Sequence, residues 1–364
     1  MRHLLSLFLI WIMLVPVFGQ NISPTRYSLL FHQLSEEVQL SYPHFAARKF
    51  DWNSHQAQFH KQAARLENSD QLYDLLRTLL LPMNDPRVSL TIPGSPNYTF
   101  QASEASEFQN RFHTSKLVTA WKLATKKTLH HEGFEINLSI NGQDRKQVLS
   151  YATSGRFGFL KIQSFGHLAK AKQGEAIQRL VNELTKKEGL ILDLRNTKGY
   201  DDQFAYQLAS RLTDHRVIGH YRQTVTKGVP GTMVPWLLNP AGLAGLFRGP
   251  VVVLTNEETQ GSAEVLALAL SQLSHVTLIG TPGRGALSEV ETHQLANGWE
   301  FTLPAYRVFS PDKQSFESTG VPVDIFVKEL PTEVEKGQDV PLKKALVALR
   351  VNSIPEEVSV LPEN

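Results

Sequence analysis

The segment 249–285 combines a strand, a tight turn and a helix, and its turn holds a serine where a reactive hydroxyl could be presented. It reads as a buried strand, a turn, a helix, a second buried strand and a glycine-rich turn. Hydrolytic enzymes with an α/β fold present a nucleophile at such a helix start. Gly261 and Ser262 occupy the turn here, so any hydrolytic chemistry of the chain depends on these two positions.

Peptide hydrolysis by a serine requires an accessible hydroxyl, a base that takes its proton, and backbone N–H groups that face the developing oxyanion. Ser262 is the candidate nucleophile, but a serine at a helix start can also be an N-cap that accepts a hydrogen bond from a first-turn amide. Glu264 is a further candidate, although the helix dipole alone favours an acid in a first turn. The histidines that could serve as base, or could be structural, are His44, His55, His60 and His167.

Strands and helices alternate from residue 156 onwards, which predicts an α/β fold with a parallel sheet joined by right-handed crossovers. The predicted strands are 157–162, 190–194, 251–255 and 276–279, and the predicted helices are 169–186, 204–212 and 263–273. An apolar insertion rich in proline and glycine, residues 228–248, interrupts this alternation. It is either a lid or pocket wall, or a packed surface loop.

The region before this alternation is predicted to be mainly helical. Apolar residues recur at helical spacing within 24–83, and a second helix over 70–80 ends at Pro82. Residues 91–104 are rich in proline, glycine, serine and asparagine and are predicted to be a loop. The alternating run 134–142 predicts a strand that ends in an Asn-Gly turn.

Composition excludes several classes of function. Lys+Arg 37 against Asp+Glu 35 gives a net charge of +2 with no long basic block, which argues against nucleic-acid binding. The chain has no cysteine, so it has no disulfide framework and no thiolate chemistry. The sequence has no His/Asp/Glu grouping with metal-ligand spacing and no glycine-rich phosphate loop, so neither a metal nor a cofactor is expected.

The first nineteen residues have the pattern of a secretory signal peptide. Arg2 and His3 precede the apolar run 4–18, and small residues at minus three and minus one place the cleavage before Gln20. The run is short for a membrane span of about 20 residues, so an uncleaved anchor is the alternative and no span is expected after cleavage. The protein is therefore predicted to be exported, to the periplasm or the cell exterior.

Six segments, in order, resemble the tail-specific, or C-terminal processing, serine proteases, above all the branch with the tricorn core protease and interphotoreceptor retinoid-binding protein modules. The segments are FGFLKIQSFG (157–166), LILDLRNTKGYDD (190–202), GPVVVLTNEETQGSAEVLALAL (249–270), HVTLIGTPGRGALSEV (275–290), LANGWEFTLP (295–304) and SFESTGVPVDI (315–325). An upstream FDW…LLPMNDPRVSL, within 50–90, resembles the family's helical N-terminal cap. The resemblance implies a crotonase-like (ClpP/crotonase type) α/β core with an N-terminal helical cap. The connecting residues lack a PDZ pattern, so no PDZ domain is expected.

The resemblance also places the family's catalytic positions in this chain. The family's nucleophile stands three residues before a glutamate that opens the helix, and with Glu264 as that glutamate the position is Gly261, which has no side chain. Lysine-using members carry the base just after the glycine of the second turn, which is Ala286 here. The tricorn-like branch takes its base from a histidine in an Asp-x-His pattern of the cap, and the matching run 85–87 has Arg87 at that place.

Arginine changes the chemistry of the base position, because a guanidinium stays protonated at neutral pH and cannot be a general base. Arg87 is predicted either to bind a carboxylate bidentately or to form a structural ion pair. The family's Asp-x-Arg-x-Asn-x-Gly-Gly pattern corresponds to residues 193–200, with Gly199 as its first glycine and Tyr200 in place of the second. Gly199 is the candidate donor of an oxyanion N–H, and the alternative is a turn glycine that needs positive φ.

These observations predict four segments: a signal peptide over 1–19, a helical cap with connecting strands over 20–150, a tail-specific protease-like core over 151–330, and a C-terminal helix with a tail over 331–364. The favoured function is that of an exported member of the tail-specific serine peptidase family with a degraded active site, a pseudoenzyme that retains binding of peptide or protein C-termini. Two alternatives stay open: an active serine hydrolase that uses Ser262, and a carrier of apolar small ligands. The sequence does not define the oligomeric state.

Overall fold

The computed structural model describes residues 24–142, 144–242 and 245–352 as a mixed α/β fold. The signal peptide predicted over 1–19 and the tail beyond residue 352 lie outside the described residues. Within those residues, none of the helices combines the length and the apolar character needed to cross a membrane.

The helices and strands of the described residues follow in chain order. The helices are α1 (Pro24–Ser41), α2 (Trp52–Ala57), α3 (His60–Ala63), α4 (Ser69–Leu80), α5 (Glu107–Arg111), α6 (Ser115–His131), α7 (Lys170–Leu184), α8 (Asp202–Ala209), α9 (Ser262–Leu270), α10 (Pro331–Glu335) and α11 (Val340–Asn352). The strands are β1 (Ser89–Thr91), β2 (Thr99–Gln101), β3 (Glu135–Asn141), β4 (Gln147–Thr153), β5 (Phe157–Ile162), β6 (Ser164–Phe165), β7 (Gly189–Asp193), β8 (Lys198–Gly199), β9 (Val217–Gln223), β10 (Val225–Thr226), β11 (Val229–Pro230), β12 (Val234–Leu238), β13 (Val251–Thr255), β14 (Val276–Gly280), β15 (Val290–Gln294), β16 (Glu300–Pro304), β17 (Arg307–Phe309) and β18 (Ile325–Phe326).

A seven-stranded sheet with the order β18-β14-β13-β7-β5-β4-β3 forms the centre of the fold. The strands from β5 to β18 run parallel, as predicted, because α7, α8 and α9 return the chain to the same sheet edge. The strand β4 was not predicted, and it is antiparallel to both β3 and β5. A hairpin joins β3 to β4 through Gly142, whose N–H donates to the carbonyl of Lys146 at 2.8 Å, and short hairpins connect only antiparallel strands.

Helices cover both faces of this sheet, so β7 and β13 are buried along their whole length. The helices α7, α8 and α9 pack in the apolar cluster on one face, and α11 packs on the other. Every residue of α9 is buried. Truncation of a fully buried leucine such as Leu266 would cost about 2–5 kcal/mol, so the position of the turn before α9 is fixed by a well-packed helix.

The N-terminal helices share an apolar core with a second sheet, whose order is β15-β16-β1-β2. Trp299 and Phe301 bring side chains from the β16 region into this core. The loop prediction for 91–104 is wrong at β2, where Phe100 pairs with Leu90 of β1. The turn-forming residues of that stretch make the hairpin turn, and the strand that follows is too short to show an alternating pattern.

The described part of the apolar insertion 228–248 contributes a strand and part of the lining of a cavity. Its strand β12 pairs with β9 in a three-stranded sheet of order β12-β9-β17. Pro235, Trp236 and Leu237 of β12 line a cavity of about 580 Å³ together with residues of α8. Leu238 and Phe247 of the insertion are buried, so these residues fit both interpretations, the pocket wall and the packed surface loop.

Candidate functional site

Gly261 lies at the N-cap of α9 and leaves no room for a side chain. Its φ of 66° and ψ of −135° are glycine-type values, and its N–H donates to the carbonyl of Ala286 at 2.8 Å. A Cβ at this position would lie 2.4 Å from the carbonyl oxygen of Gly199 and 2.9 Å from the ring of Tyr200. The structure thus brings the nucleophile position, the oxyanion glycine and the lysine position of the family together, but packs them closed.

Tyr200 stands where the family has a second glycine, and its ring fills the space in front of Gly261. Burial raises the pKa of the Tyr200 phenol to about 12. Gly199 has φ 101°, and a Cβ there would lie 1.8 Å from the carbonyl oxygen of Phe165 in β6, so close strand contact requires glycine. The group that Gly199 directs at Gly261 is its carbonyl oxygen, and a partial negative charge there would repel an oxyanion.

Ser262 is the first residue of α9, and its side chain is fully buried. Its Oγ donates to Oδ1 of Asp202 and accepts from the N–H of Asp201 at 2.7 Å. The N-cap interpretation of Ser262 is therefore wrong, because Gly261 is the cap residue and the serine oxygen bonds to the start of α8 instead. The hydroxyl has both a donor and an acceptor partner and faces no open space, which is not the arrangement of a nucleophile.

Asp202 is buried beside the serine, and desolvation raises the pKa of its carboxyl to about 6. Its Oδ2 accepts from Nη2 of Arg222 and, at 3.2 Å, from the hydroxyl of Tyr306. The guanidinium of Arg222 lies 3.5 Å from the ring centroid of Trp236 and 4.4 Å from that of Tyr306. Cation–π contacts on both sides hold this cation in place, so Asp202 has a fixed partner.

A cavity of about 480 Å³ opens beside this group. The residues that border it are Gly166, Leu168, Ala169, Lys170, Tyr200, Asp201, Asp202, Gln203, Arg222, Trp236 and Glu289. Ser262 and Gly261 are not among them, so a molecule in the cavity would meet Tyr200 and Asp202 rather than the turn of α9.

Glu264 is buried and binds the glycine-rich turn. Its two carboxylate oxygens accept from the N–H of Gly285 at 3.1 Å and of Ala286 at 2.9 Å. Burial raises the pKa of this carboxyl to about 7, and the two amide bonds oppose that rise. Glu264 therefore fixes the position of Ala286, which in turn accepts from Gly261, and the role is one of support rather than proton transfer.

Arg87 is almost fully buried, and all three of its guanidinium nitrogens have partners inside the protein. Nε and Nη2 donate to the two oxygens of Asp85 at 2.9 and 2.8 Å, Nη1 donates to Oγ of Ser288 at 2.9 Å, and Nη2 also contacts Glu317. The carboxylate that Arg87 binds bidentately is therefore that of Asp85, two residues earlier in the chain. The structural ion pair describes this residue, since four of its five guanidinium N–H groups are bonded to protein acceptors.

A second arginine and a neutral histidine complete this cluster. Arg48 lies 3.3 Å from Asp85 and 2.6 Å from Glu317. His44 approaches Glu317 at 3.6 Å, but burial keeps the pKa of its imidazole well below the ordinary value. His44 is thus an uncharged ring next to an ion-pair network that already neutralises itself.

None of the four candidate histidines is bonded to Ser262, whose partners are Asp201 and Asp202. His55 contacts the carbonyl of Leu79 at 3.0 Å, His60 stacks on His32, and His167 lies at the surface near Asp144. The structure therefore supplies no imidazole base at the turn of α9 within the described residues.

Sequence reasoning missed Asp202, Arg222 and Glu317. Asp202 ends the family-like run 190–202, so its position directly before a predicted helix was a usable signal. Arg222 lies on β9, a strand that the prediction did not contain, and Glu317 reaches Arg87 across 230 positions of sequence. Nothing in a single sequence links residues that far apart.

A mainly parallel sheet that is covered by helices on both faces defines a protein of mixed α/β fold. Residues 156–327, slightly less than half of the chain, match the peptidase family S41.

Its curated relatives include the tricorn protease homolog 1 of Streptomyces coelicolor, 24% identical over 227 residues, which is 60% of this chain and 19% of the relative. The carboxy-terminal-processing protease of Bartonella bacilliformis is 26% identical over 200 residues, 54% of this chain and 44% of the relative. The matched region thus spans less than half the length of either protein.

Solved structures share the fold over nearly the whole chain. A protein of Parabacteroides merdae ATCC 43184 has a TM-score of 0.73 at 20% identity and covers 94% of this chain and 100% of its own. Mature CPAF has a TM-score of 0.64 at 12% identity, with 93% and 99% covered. The tricorn protease has a TM-score of 0.55 at 14% identity, with 91% and 37% covered. At these identities the likeness shows the fold alone.

Proposed function

We propose that this protein is an exported, non-hydrolysing member of peptidase family S41 that binds the C-terminal ends of peptides beside its altered centre. The observation that carries the proposal is the space in front of Gly261, which the ring of Tyr200 and the carbonyl of Gly199 occupy. A side chain at 261 would overlap with both, so the substitution at 261 and the substitution at 200 belong together. Loss of a nucleophile alone normally costs several orders of magnitude in rate.

Arg87, at the predicted base position, and Ser262, the alternative nucleophile, support the same conclusion. Arg87 cannot accept a proton, and its guanidinium is closed by Asp85, Ser288 and Glu317. The neighbouring serine hydroxyl, Ser262 Oγ, is buried and already bonded. Hydrolysis through Ser262 would need both of its hydrogen bonds to break and α9 to move.

Peptide binding rests on the cavity of about 480 Å³ that borders Tyr200. Lys170 lies at its edge and is exposed, and α7 begins there with Ala169, which supplies no side-chain cap to the first-turn amides. An ammonium group beside uncapped backbone N–H groups suits a carboxylate. Glu289 on the other side of the cavity suits a basic side chain or an amino group. Extended peptides with a free carboxylate are therefore the proposed ligands.

The family assignment also supports the coarse organisation of the chain. We propose that the seven-stranded sheet is the crotonase-like core, that the helices before residue 150 are the cap, and that residues 1–19 are removed on export. Mass spectrometry of the secreted protein tests the last point, since the expected mature chain begins at Gln20.

A fluorophosphonate probe and a peptide-binding assay test the function. We expect no labelling of the purified protein and no difference in Ser262→Ala. Labelling that disappears in Ser262→Ala would instead establish the active hydrolase. In fluorescence polarisation, a peptide with a free carboxylate should bind at least about 10-fold more tightly than its C-terminal amide, because the amide lacks the charge.

Two lysines of α7 provide a matched pair for the binding assay. Lys170→Met should remove the preference for the free carboxylate, whereas Lys172→Met, an exposed lysine outside the cavity lining, should retain it. Equal binding of acid and amide by the unmodified protein would contradict the proposal. Saturable uptake of an uncharged apolar fluorophore next to Trp236 would favour the carrier.

A further inference from the structure

A second cavity, of about 590 Å³, lies between α6 and the strands β3, β4 and β5. It is on the sheet face that carries α11, whereas α9 and the altered centre pack against the opposite face. The two cavities have no lining residue in common. Pockets of this size hold small organic ligands, so the cavity is a candidate site of its own.

The lining of this cavity is partly apolar and partly polar. The apolar lining comes from Val118, Trp121, Leu129, Ile136, Ala152 and Phe159. The polar lining includes Lys161, Asp193, Asn196 and Gln163, which are buried or half-buried. Two exposed lysines of α6, Lys122 and Lys126, stand at the rim. A ligand with an apolar body and one polar group would fit this combination of lining residues.

The ammonium of Lys161 lacks a carboxylate of its own. Asp193 binds Arg195 bidentately, and its Oδ1 lies 3.4 Å from Nζ of Lys161, near the outer limit of a hydrogen bond. The short contact of Nζ is with the uncharged carbonyl oxygen of Arg195. Burial lowers the pKa of Lys161, as expected for a cation whose charge is incompletely paired. An incoming anion would compensate this charge.

Two further polar atoms of the lining lack partners within the described residues. The indole Nε1 of Trp121 and the amide Oε1 of Gln163 are both buried without a hydrogen bond. The amide nitrogen of Gln163 donates to Gln147 and Ser150, so its oxygen is the group left over. Buried polar groups are normally paired, and a ligand with a donor and an acceptor would satisfy both atoms.

We propose that this cavity binds a small organic acid with an apolar body, whose carboxylate meets Lys161 and whose body lies between α6 and the sheet. With the two rim lysines included, the four cations Lys161, Lys122, Lys126 and Arg195 outnumber the three carboxylates of Asp193, Asp339 and Glu329, so the field at the cavity favours an anion. The site does not depend on the altered centre, and its test is independent of peptide binding.

Fluorescence titration with 1-anilinonaphthalene-8-sulfonate, an anion with an aromatic body, tests the site directly. We expect saturable binding at one site, with energy transfer from Trp121 that is lost in Trp121→Phe and retained in Trp236→Phe. The bound probe should be displaced by 4-phenylbutyrate, and by 4-phenylbutyramide only at about 10-fold higher concentration, because the amide lacks the charge.

Three variants separate charge from shape. Lys161→Met should abolish the preference for the acid over the amide, while Lys116→Met, an exposed lysine of α6 outside the lining, should not. Ala152→Leu should fill the cavity and weaken both compounds without a change in charge. Equal displacement by acid and amide, or unchanged binding in Ala152→Leu with the fold verified by circular dichroism, would overturn the proposal.

Discussion

Two Asp-x-Arg runs, 85–87 and 193–195, form the same ion pair in different surroundings. In each, the backbone N–H of the arginine donates to Oδ1 of the aspartate at 3.0 Å, Nε donates to the same oxygen, and Nη2 donates to Oδ2. The remaining nitrogen differs. Nη1 of Arg87 meets the neutral hydroxyl of Ser288, whereas Nη1 of Arg195 meets the carboxylate of Asp339 at 2.8 Å.

The shared geometry of the two Asp-x-Arg runs explains the role of Arg87, which stands at the predicted base position. The run 193–195 follows β7 and is part of the framework of the sheet. Because 85–87 adopts the same closed geometry, Arg87 also belongs to the structural framework. A general base at this position would instead need a side chain that is free to accept a proton. Arg87 is thus bound in the same structural ion pair as Arg195.

The charge balance separates the two clusters. Arg87 and Arg48 face two carboxylates, those of Asp85 and Glu317. Around Arg195 the carboxylates of Asp193, Asp339 and Glu329 outnumber the two cations, Arg195 and Lys161. Burial, together with the charge of Asp339, raises the pKa of Glu329 to about 7. The first cluster is neutral and the second carries a surplus of negative charge.

Removal of the central cation should therefore harm the second cluster most. Arg195→Met leaves three buried carboxylates beside Lys161, and we expect the free energy of unfolding to fall by about 3–5 kcal/mol. Arg87→Met should cost less, about 2–3 kcal/mol, because Arg48 still pairs with both carboxylates of its cluster. Urea denaturation of the two variants measures the difference. An equal or larger loss in Arg87→Met would mean that the clusters are not distinguished by their charge balance.

The closed packing around Gly261 can be tested by one methyl group. Gly261→Ala places a Cβ 2.4 Å from the carbonyl of Gly199 at a positive φ, and we expect a loss of about 2–4 kcal/mol in unfolding free energy. The same change in a Tyr200→Gly background should cost less, because the ring is gone and the 199–200 peptide can move. A thermodynamic cycle of the four proteins gives the coupling. A neutral Gly261→Ala would show that the centre has room for a nucleophile.

The surplus carboxylate makes the second cluster sensitive to pH. The pKa of Glu329 in the folded protein lies above its ordinary value of 4.5, so its contribution to stability is complete below about pH 4.5 and is lost as the pH rises through about 7. We expect unfolding free energy to fall by about 1–3 kcal/mol between about pH 5 and 8, and part of this slope to vanish in Glu329→Gln. Glu291→Gln, at an exposed position, serves as control. A slope unchanged in Glu329→Gln would assign the effect to Glu264 and Asp202, whose carboxyl pKa values are also raised.

Periodicity predicted five of the seven strands of the sheet, without β4 and β18, and it missed the side-chain contacts of the candidate site. The turn at Gly261 and the buried strands on both sides of it follow from apolar runs and from glycine. The prediction that Gly261, Arg87 and Tyr200 are substituted positions came from the family resemblance and not from periodicity. It did not foresee that Tyr200 fills the space at Gly261, because the ring and the turn meet only after two crossovers have placed β7 beside β13.

Ser262 shows why the side-chain contacts of the site could not be predicted from the sequence. A serine at a helix start fits an N-cap locally, and the local preference is worth about 1 kcal/mol. The partner that it has in the folded protein, Asp202, lies 60 positions away in the sequence and is held by Arg222 on a strand that was not predicted. Buried charge networks are set by tertiary contacts, so a single sequence reveals their members but not their pairing.

The smallest expected effect is also the most specific test of the comparison. Asp339→Asn removes one carboxylate from the cluster with surplus negative charge. The asparagine Oδ1 can still accept from Arg195 and from the N–H of Leu342, and Nη2 of Arg195, which loses the second oxygen of Asp339, keeps Asp193 as its partner. We therefore expect a loss of no more than about 1 kcal/mol in unfolding free energy at neutral pH. Because the charge of Asp339 helps to raise the pKa of Glu329, the variant should also flatten the dependence of stability on pH between about 5 and 8.

Ser288→Ala removes the acceptor that Nη1 of Arg87 has in the other cluster. We expect it to leave the dependence of stability on pH unchanged and to cost about 1–3 kcal/mol, because a buried guanidinium N–H then lacks a partner. If Asp339→Asn were the more damaging of the two, the second cluster would need all three of its carboxylates, and the contrast between a balanced and an overcharged ion pair would fail.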